Sequence, residues 1–262
     1  MKLVVVGCGN MGTAIVNALS GEAIFDDIEV YDRRGTQCEN LKEVTVLDSL
    51  DDAFIDEETV ILLAVKPQDL EGVFDQLKGR LIKGTLLISI AAGVSLDRLQ
   101  SGTDCSAVVR VMPNLPATIG QGASAWFASS TVTETHRGVV RDLLSSFGME
   151  MEVHSEDDID KVTALSGSGP AYVFYFLEAL TEAGEKLGLS SEQAGRLAFQ
   201  TLIGGAEMAR GINSVAELKQ LRATVTSKGG TTERALTVLE ERAFKSIVDE
   251  AVQAAYARTK EL

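Results

Sequence analysis

The sequence predicts an α/β protein in which a doubly wound parallel sheet is followed by an all-helical domain. Over roughly the first 150 residues, short β-rich runs alternate with helical patterns, as in a parallel sheet covered on both faces. The run V-I-L-L-A-V at residues 60–65 is apolar throughout, which is typical of a buried parallel strand. After about residue 155 helical signals take over. We therefore expect a sheet domain over residues 1–155 and a helical domain over residues 156–262.

Five strands are predicted in the first domain, at residues 3–6, 28–31, 60–65, 85–90 and 107–111. Helical patterns at residues 11–19 and 68–77 lie between them. A later helix is expected at residues 131–147, where Thr131 and Glu134 have the spacing of a capping box. Residues 122–127 have the character of a late edge strand, and we assign Trp126, the only tryptophan, to packing.

Two features of the helical half predict a surface that must be covered. A long helix at residues 157–187 contains Gly167-Ser168-Gly169-Pro170, and proline there should kink or break it. The run that follows, at residues 171–177, is apolar all the way round. Because a helix without a polar face must be covered on every side, we expect a homodimer through the helical domain.

Composition and charge exclude several classes of function. The formal net charge is −14, so nucleic acid is not an expected partner. The three cysteines stand far apart and the two histidines lack ligand-like neighbours, which predicts free thiols and no metal site. No apolar run reaches the ~18 residues of a membrane span, and the N-terminus lacks the pattern of a signal peptide. We expect a cytoplasmic protein without a membrane partner.

A glycine-rich loop, G-C-G-N-M-G, follows the first predicted strand and opens the first predicted helix. In this context Gly7 permits a tight turn, Gly9 lets a pyrophosphate approach the backbone, and Gly12 lets the helix pack on the strand. Free N–H groups at the helix start then favour phosphate. The loop, which includes Asn10 and Met11, indicates a Rossmann-type dinucleotide site. A glycine-rich turn without a ligand is the alternative.

The residues after the second predicted strand give conflicting signals about the cofactor. Asp32 lies where an acidic side chain binds the ribose 2′-hydroxyl of NAD. Arg33 and Arg34 come next and match the 2′-phosphate of NADP. A carboxylate repels a phosphate unless it turns away. We expect NADPH as the cofactor, with NADH as a second one; a solvated turn of charges is the alternative for Arg34.

A second anion site is predicted in the segment V-T-S-K-G-G-T-T-E, which precedes an apolar-periodic helix. Gly229 and Gly230, followed by hydroxyl residues at a helix start, predict a cradle of backbone N–H groups that suits a small carboxylate. Ser227, Thr231 and Thr232 add neutral donors. A helix N-cap with a flexible entry is the alternative.

Four separated segments, together with the glycine-rich loop, resemble the pyrroline-5-carboxylate reductase family. They are T-A-L-S-G-S-G-P-A-Y-V-F at residues 163–174, V-T-S-K-G-G-T-T at residues 225–232, R-V-M-P-N at residues 110–114 with Pro116, and A-V-K-P-Q at residues 64–68. The resemblance covers the whole chain in the right order. One departure is Lys228, where the family commonly has proline; it puts a cation beside the presumed carboxylate cradle.

The resemblance implies reduction of the C=N bond of 1-pyrroline-5-carboxylate to L-proline, with a hydride from the nicotinamide. A cyclic iminium is already electrophilic, so positioning alone can carry the catalysis. By similarity to the family, N–H groups around Gly230 and Thr231 hold the substrate carboxylate. Thr232 bonds the ring nitrogen as the catalytic residue, and the proton donor is Thr232 or a water. The predicted substrate set is Ser166, Ser227, Gly229, Gly230, Thr231 and Thr232.

The predicted cofactor site continues along the ends of the later strands. Lys66 and Pro67 follow a strand at its carboxyl edge, where ligands bind in open α/β sheets. Ala91 and Ala92, after the next strand, are small enough to leave room for the dinucleotide. We expect Met112 and Pro113 to line the nicotinamide pocket and Asn114 to hydrogen-bond the nicotinamide amide. Core filling is the alternative for Met112. The predicted set is Gly7, Gly9, Asn10, Met11, Gly12, Asp32, Arg33, Arg34, Ala64, Val65, Lys66, Pro67, Ala91, Ala92, Met112, Pro113 and Asn114.

Two other functions compete with this interpretation. A β-hydroxyacid-type dehydrogenase would need a basic side chain in the helical domain, where Lys161 and Lys186 are the candidates and neither lies in a motif. A non-catalytic dinucleotide sensor would keep the glycine-rich loop but has no use for the cradle at residues 229–232. The resemblance leaves open whether dimers assemble into a larger ring.

Overall fold

The computed structural model describes residues 1–35, 38 and 41–261 of the 262-residue chain. The chain divides by its internal contacts into two compact units, one of Met1–Pro170 with Ala255–Leu262 and one of Ala171–Ala254. The domain division predicted after residue 155 follows the change of sequence pattern and stays a prediction. Within the described residues, no helix combines the length and the apolar character needed to cross a bilayer.

One sheet of eight strands, counted over the described residues, forms the centre of the first unit. The strands are β1 (Lys2–Val6), β2 (Asp27–Tyr31), β3 (Thr45–Val46), β4 (Thr59–Leu63), β5 (Leu86–Ser89), β6 (Val108–Met112), β7 (Gly122–Ala128) and β8 (Gly148–Glu152). Their order is β3-β2-β1-β4-β5-β6-β7-β8, and all neighbours are parallel except β6 and β7. The order reverses between β1 and β4, which creates a switch point where open α/β sheets bind ligands.

Helices cover both faces of this sheet. They are α1 (Asn10–Leu19), α2 (Leu70–Leu77), α3 (Leu96–Thr103), α4 (Glu134–Ser145) and α5 (Glu156–Val162). Along β1, Leu3 and Val5 belong to one buried apolar cluster, and Val4 and Val6 to the other. The first cluster includes side chains of α1 and α4, and the second includes side chains of α2 and α3. The doubly wound fold predicted from the sequence is confirmed.

The far end of the sheet differs from the sequence prediction. Trp126 is fully buried, but its strand β7 is not at the edge, because β8 pairs with it on the outer side. β8 alternates methionine and glutamate but contains no β-branched or aromatic residue, and β3 has only two residues, so neither was predicted as a strand. Helix α4 begins at Glu134 and not at residue 131. Thr133 is extended, and its side chain accepts a hydrogen bond from the N–H of His136 at 3.2 Å, which makes it the N-cap.

A break interrupts the long helix at the predicted place. After α5, a π-helical turn covers Thr163–Gly167, and the N–H of Ser168 donates to the carbonyl of Thr163 at 2.9 Å. α6 (Gly169–Lys186) follows. Pro170 lies in the first turn of α6, where its missing N–H removes no helical hydrogen bond.

The second unit is helical, with one markedly apolar surface. It contains most of α6, then α7 (Ser191–Met208), α8 (Val215–Thr224), α9 (Thr231–Glu241) and the larger part of α10 (Phe244–Thr259). Ser190 and Gln193 form a capping box at the start of α7. On α6, Phe174 is 57% exposed and Tyr175 is 73% exposed within the single chain. An exposed cluster of large apolar side chains is typical of a surface that another chain covers.

The pairing of β7 with β8 predicts a strong stability difference between two glycine substitutions. Gly148 has φ +151°, and a Cβ there would overlap the backbone of Gly122 on the neighbouring strand. We expect G148A to lower the free energy of unfolding by about 3 kcal/mol, from overpacking and backbone strain. The matched control is G138A in α4, where the added Cβ faces open space. This substitution should raise the free energy of unfolding by about 0.5–1 kcal/mol. Equal urea midpoints for the two variants would contradict this account.

Candidate functional site

A cleft of about 510 Å³ opens at the switch point, beside the carboxyl ends of β1, β2 and β4. The predicted cofactor residues that line it are Gly7, Gly9, Asp32, Arg33, Arg34, Ala64, Val65 and Lys66. Seven further lining residues were not predicted: Val6, Tyr31, Gln68, Asp69, Gly72, Val73 and Gln76. Gln68, Gly72 and Gln76 have the i, i+4, i+8 spacing of one helix face, and this spacing is the sequence signal that would have predicted these three residues.

The glycine-rich loop approaches its neighbours so closely that two of its residues have no room for a side chain. Gly7 has φ +107°, and a Cβ there would stand 2.8 Å from the carbonyl oxygen of Ala64. A Cβ on Gly12 would overlap the carbonyl oxygen of Gly7. Gly9 faces open space and precedes α1 without a capping side chain. This open, uncapped helix start fits a diphosphate, whose oxygens accept hydrogen bonds from free N–H groups.

The turn after β2 places two arginines and one largely buried carboxylate at this cleft. The Asp32 side chain is 8% exposed; Oδ2 accepts from the N–H of Cys8, and Oδ1 accepts from the N–H of Arg34, both at 2.9 Å. The side chains of Arg33 and Arg34 are 71% and 61% exposed. Nη1 of Arg33 lies 3.0 Å from Oδ1 of Asp69, just before α2. The cleft therefore offers positive charge to an anionic group while the carboxylate of Asp32 turns toward the loop.

The thiol in the glycine-rich loop is poorly suited to act as a nucleophile. Cys8 and Cys38 are buried, and their sulfur atoms lie 2.9 Å apart. Burial, together with the contact to Cys38, raises the pKa of the Cys8 thiol well above its ordinary value, so the thiol stays protonated. Across the described parts of the chain, no group of three or more His, Cys, Asp or Glu side chains is arranged to hold a metal ion.

The other predicted cofactor residues lie outside this cleft. They are Asn10, Met11 and Gly12 in the first turn of α1, Pro67 before α2, Ala91 and Ala92 after β5, and Met112, Pro113 and Asn114 at the end of β6. The last group adjoins the π-helical turn: a Cβ on Gly167 would stand 2.6 Å from Cε of Met112. Nδ2 of Asn114 donates to the carbonyl of Ser166 at 3.2 Å, and Oδ1 accepts from the N–H of Ala123 at 2.8 Å. The Asn114 amide thus supports the turn, and its bond to a nicotinamide stays a prediction.

The predicted carboxylate cradle in the second unit is built differently from the sequence expectation. The N–H of Gly229 donates to Oε2 of Glu233 at 2.7 Å, and the N–H of Gly230 donates to the carbonyl of Ser227 at 3.0 Å. Both glycine donors are therefore engaged within the loop. Gly230 is the extended N-cap of α9, and a Cβ there would overlap the hydroxyl of Ser227.

The donors left for an anion belong to the first turn of α9. No side chain caps this helix, so the N–H groups of Thr231 and Thr232 begin it without a capping acceptor. Ser166, predicted for the same substrate, lies in the first unit, in the π-helical turn, and its hydroxyl donates to the carbonyl of Val162 at 3.3 Å. The start of α9 therefore still suits an anion, but the N–H groups that it offers belong to Thr231 and Thr232 and not to the two glycines.

The lysines required by a hydroxyacid dehydrogenase are held in ion pairs. Nζ of Lys161 lies 2.8 Å from Asp157 and 2.9 Å from Asp158, and these hydrogen bonds raise the pKa of Lys161 above its ordinary value. Lys186 is exposed and lies 3.5 Å from Glu182 on α6. Both lysines are thus engaged by carboxylates of their own helices, which does not favour either as the base of that reaction.

Comparison with known proteins gives matches in both halves of the chain. The family model described as pyrroline-5-carboxylate reductase dimerisation matches residues 156–262. A model described as NADP oxidoreductase, coenzyme F420-dependent, matches residues 2–93. The pyrroline-5-carboxylate reductase of Pseudomonas aeruginosa is 38% identical over 266 residues, covering 100% of this chain and 96% of the relative.

Two solved structures match over nearly the full length. A pyrroline-5-carboxylate reductase from Coxiella burnetii has a TM-score of 0.88 and 37% identity, covering 99% of this chain and 97% of that chain. The pyrroline carboxylate reductase of Plasmodium falciparum, solved with NADP bound, has a TM-score of 0.83 and 32% identity, covering 100% and 99%. With this identity maintained over the whole length, the chain belongs to the pyrroline-5-carboxylate reductase family.

Proposed function

We propose that the chain reduces the C=N bond of 1-pyrroline-5-carboxylate to L-proline, with NADPH as the principal hydride donor and NADH as a second donor. The observation that carries the proposal is a pair of uncapped helix starts, after Gly9 and after Gly230, within a chain that matches known pyrroline-5-carboxylate reductases over its length. One helix start suits a dinucleotide diphosphate, and the other suits the carboxylate of an imino acid.

In this proposal the cleft at the switch point holds the dinucleotide, with its diphosphate on the glycine-rich loop. Bound NAD(P)H supplies the hydride. Arg33 and Arg34 bind the 2′-phosphate of NADPH, because a forked guanidinium matches phosphate oxygens. The NADP-bound relative from Plasmodium falciparum supports this choice of cofactor. The later residues of the predicted set, from Ala91 to Asn114, complete the site toward the nicotinamide.

The substrate carboxylate binds at the start of α9. The N–H groups of Thr231 and Thr232 donate to it, and the positive end of the helix dipole favours its charge. Gly229 and Gly230 shape the turn that presents these donors, and Ser227 holds Gly230 through its carbonyl. Ser166 completes the proposed substrate set named from the sequence.

Thr232 is the proposed catalytic residue. Its hydroxyl bonds the ring nitrogen and fixes which face of the C=N bond meets the hydride donor. An ordinary alcohol is a very weak acid, so the proton reaches the nitrogen through the Thr232 oxygen or from a water bonded to it. Positioning of this kind can supply ~7–11 kcal/mol of the barrier in favourable cases.

We further propose a cytoplasmic homodimer formed through the helical domain at residues 156–262, with a ring of dimers as its larger assembly. The match of the dimerisation model to the same residues supports the dimer. The exposed apolar side chains of α6 supply a surface for it.

The proposed reaction is tested by mixing the purified protein with 1-pyrroline-5-carboxylate and either NADPH or NADH. We expect oxidation of the dinucleotide and formation of proline in equal amounts, with a higher kcat/KM for NADPH than for NADH because Arg33 and Arg34 line the cleft. Nicotinamide absorbance and amino-acid analysis measure the two products. No oxidation of either dinucleotide would overturn the proposed function.

Removal of the Thr232 hydroxyl should separate turnover from cofactor binding. We expect T232A to lower kcat by about 100-fold or more, because a hydrogen bond at the reacting nitrogen is lost. The Kd for NADPH, measured by nucleotide fluorescence, should stay near the wild-type value. The matched control is T237A, which removes another threonine hydroxyl further along α9. The Thr237 hydroxyl donates to the carbonyl of Glu233 at 3.0 Å. An equal loss of kcat in both variants would argue against a role for Thr232 in the reaction.

Association through α6 predicts a mass by light scattering of at least twice the 28.0 kDa of one chain. F174D should shift the mass toward the monomer, because a carboxylate would be buried in an apolar interface. F54D changes an equally large exposed side chain in the first unit and should leave the mass unchanged. A monomeric wild type would refute the proposed dimer.

A further inference from the structure

Asp32 connects two segments of the cofactor cleft. The N–H groups of two successive loop residues donate to the end of β2: Gly7 to the carbonyl of Tyr31 at 2.7 Å, and Cys8 to Oδ2 of Asp32 at 2.9 Å. The other carboxylate oxygen accepts the N–H of Arg34 at 2.9 Å. One side chain therefore ties the loop after β1 to the turn after β2.

The carboxylate of Asp32 is directed away from the open side of the cleft. The Asp32 side chain is largely buried, whereas the side chains of Arg33 and Arg34 beside it are mostly exposed. Nε of Arg34 lies 3.7 Å from Oδ1 of Asp32, so the negative charge also has a cation close by. Two backbone donors and one cation compensate this charge, which weakens the repulsion that an unpaired carboxylate would exert on a phosphate.

We propose that Asp32 is a positioning residue for the glycine-rich loop, and that it serves NADH and NADPH alike instead of selecting NADH through the ribose 2′-hydroxyl. The inference rests on the proposed function of the cleft as the dinucleotide site. By holding the N–H of Cys8, Asp32 fixes the loop that presents the start of α1 to the diphosphate. Both dinucleotides contain this diphosphate, so both depend on Asp32.

This assignment removes the conflict between the acidic and basic residues after β2. Asp32 acts on the loop, and discrimination at the 2′-position falls to Arg33 and Arg34. The Arg33 guanidinium is already held at the cleft by Asp69, at 3.0 Å. A 2′-phosphate therefore meets oriented cations and a carboxylate whose oxygens are engaged elsewhere.

The first test uses the unaltered protein and the analogue of NADH that has 2′-deoxyadenosine in place of adenosine. We expect its Kd to equal that of NADH to within about twofold, because no charge-assisted hydrogen bond joins Asp32 to the 2′-hydroxyl. Fluorescence titration without 1-pyrroline-5-carboxylate measures both constants. If Asp32 instead binds that hydroxyl, the analogue should bind roughly ten- to 100-fold more weakly, and this result would overturn the proposal.

The second test is the isosteric variant D32N, with D27N as its matched control. D27N removes the same charge at the exposed first residue of β2, whereas Asp32 follows the last residue of that strand. We expect D32N to raise the Kd of NADH and NADPH by the same factor, about tenfold or more, with kcat at saturating dinucleotide near wild type. D27N should change neither constant. Weaker binding of NADH alone, or unchanged binding of both, would overturn the proposal.

These outcomes are separable from failure of the proposed function. A wild type that binds dinucleotides but does not reduce 1-pyrroline-5-carboxylate refutes the proposed reaction. The Kd values for the dinucleotides then decide the role of Asp32. A wild type that binds neither dinucleotide overturns both proposals. If D32N does not fold, the deoxy analogue on the unaltered protein still decides the question.

Discussion

The close backbone approach at the switch point of the sheet is the constraint on which the cofactor site depends. The N–H of Ala64 donates to the carbonyl of Val6 at 2.8 Å, which holds the end of β4 against the end of β1. Gly7 and Gly12 then fit only because neither has a Cβ. A side chain at either position would push α1 away from the strand, and its free N–H groups would move away from the cleft edge at Gly9. The ability to bind an anion is therefore built into the packing of one helix on two strands.

Anion binding by so acidic a chain has to be local. With a formal net charge of −14, the average field of the protein opposes a dinucleotide and a carboxylate alike. At physiological ionic strength, however, exposed charges are screened over ~8 Å, whereas a helix start offers fixed donors and about half a positive charge at contact distance. Uncapped helices after Gly9 and Gly230 use backbone groups that no change of surface charge removes. Exposed cations at Arg33 and Arg34 add to the first site only where the cleft is open.

The sequence predicts features that follow from its hydrophobic pattern, but it does not predict features that depend on the orientation of a side chain. Buried parallel strands such as β4 are rich in apolar β-branched residues on both faces and were predicted, whereas β8 contains no β-branched residue and was missed. The sequence places Asp32 correctly at the end of β2 but contains no information on where its carboxylate turns. At α9 the glycines predict a cradle, yet Glu233 binds the N–H of Gly229, because a side chain one turn away competes for backbone donors.

The segment with the longest resemblance to the family is explained by backbone geometry before any contact with substrate is considered. A π-helical turn at Thr163–Gly167 lets the chain pass Pro170, which has no N–H to donate. A Cβ on Gly167 would require the end of the Met112 side chain to shift, and Asn114 binds the carbonyl of Ser166 from the end of β6. These contacts from β6 hold one turn in a conformation that an ordinary helix would not adopt. Such over-determined turns are typical of functional sites, because a reactive geometry must be held rigid by residues that do not themselves react.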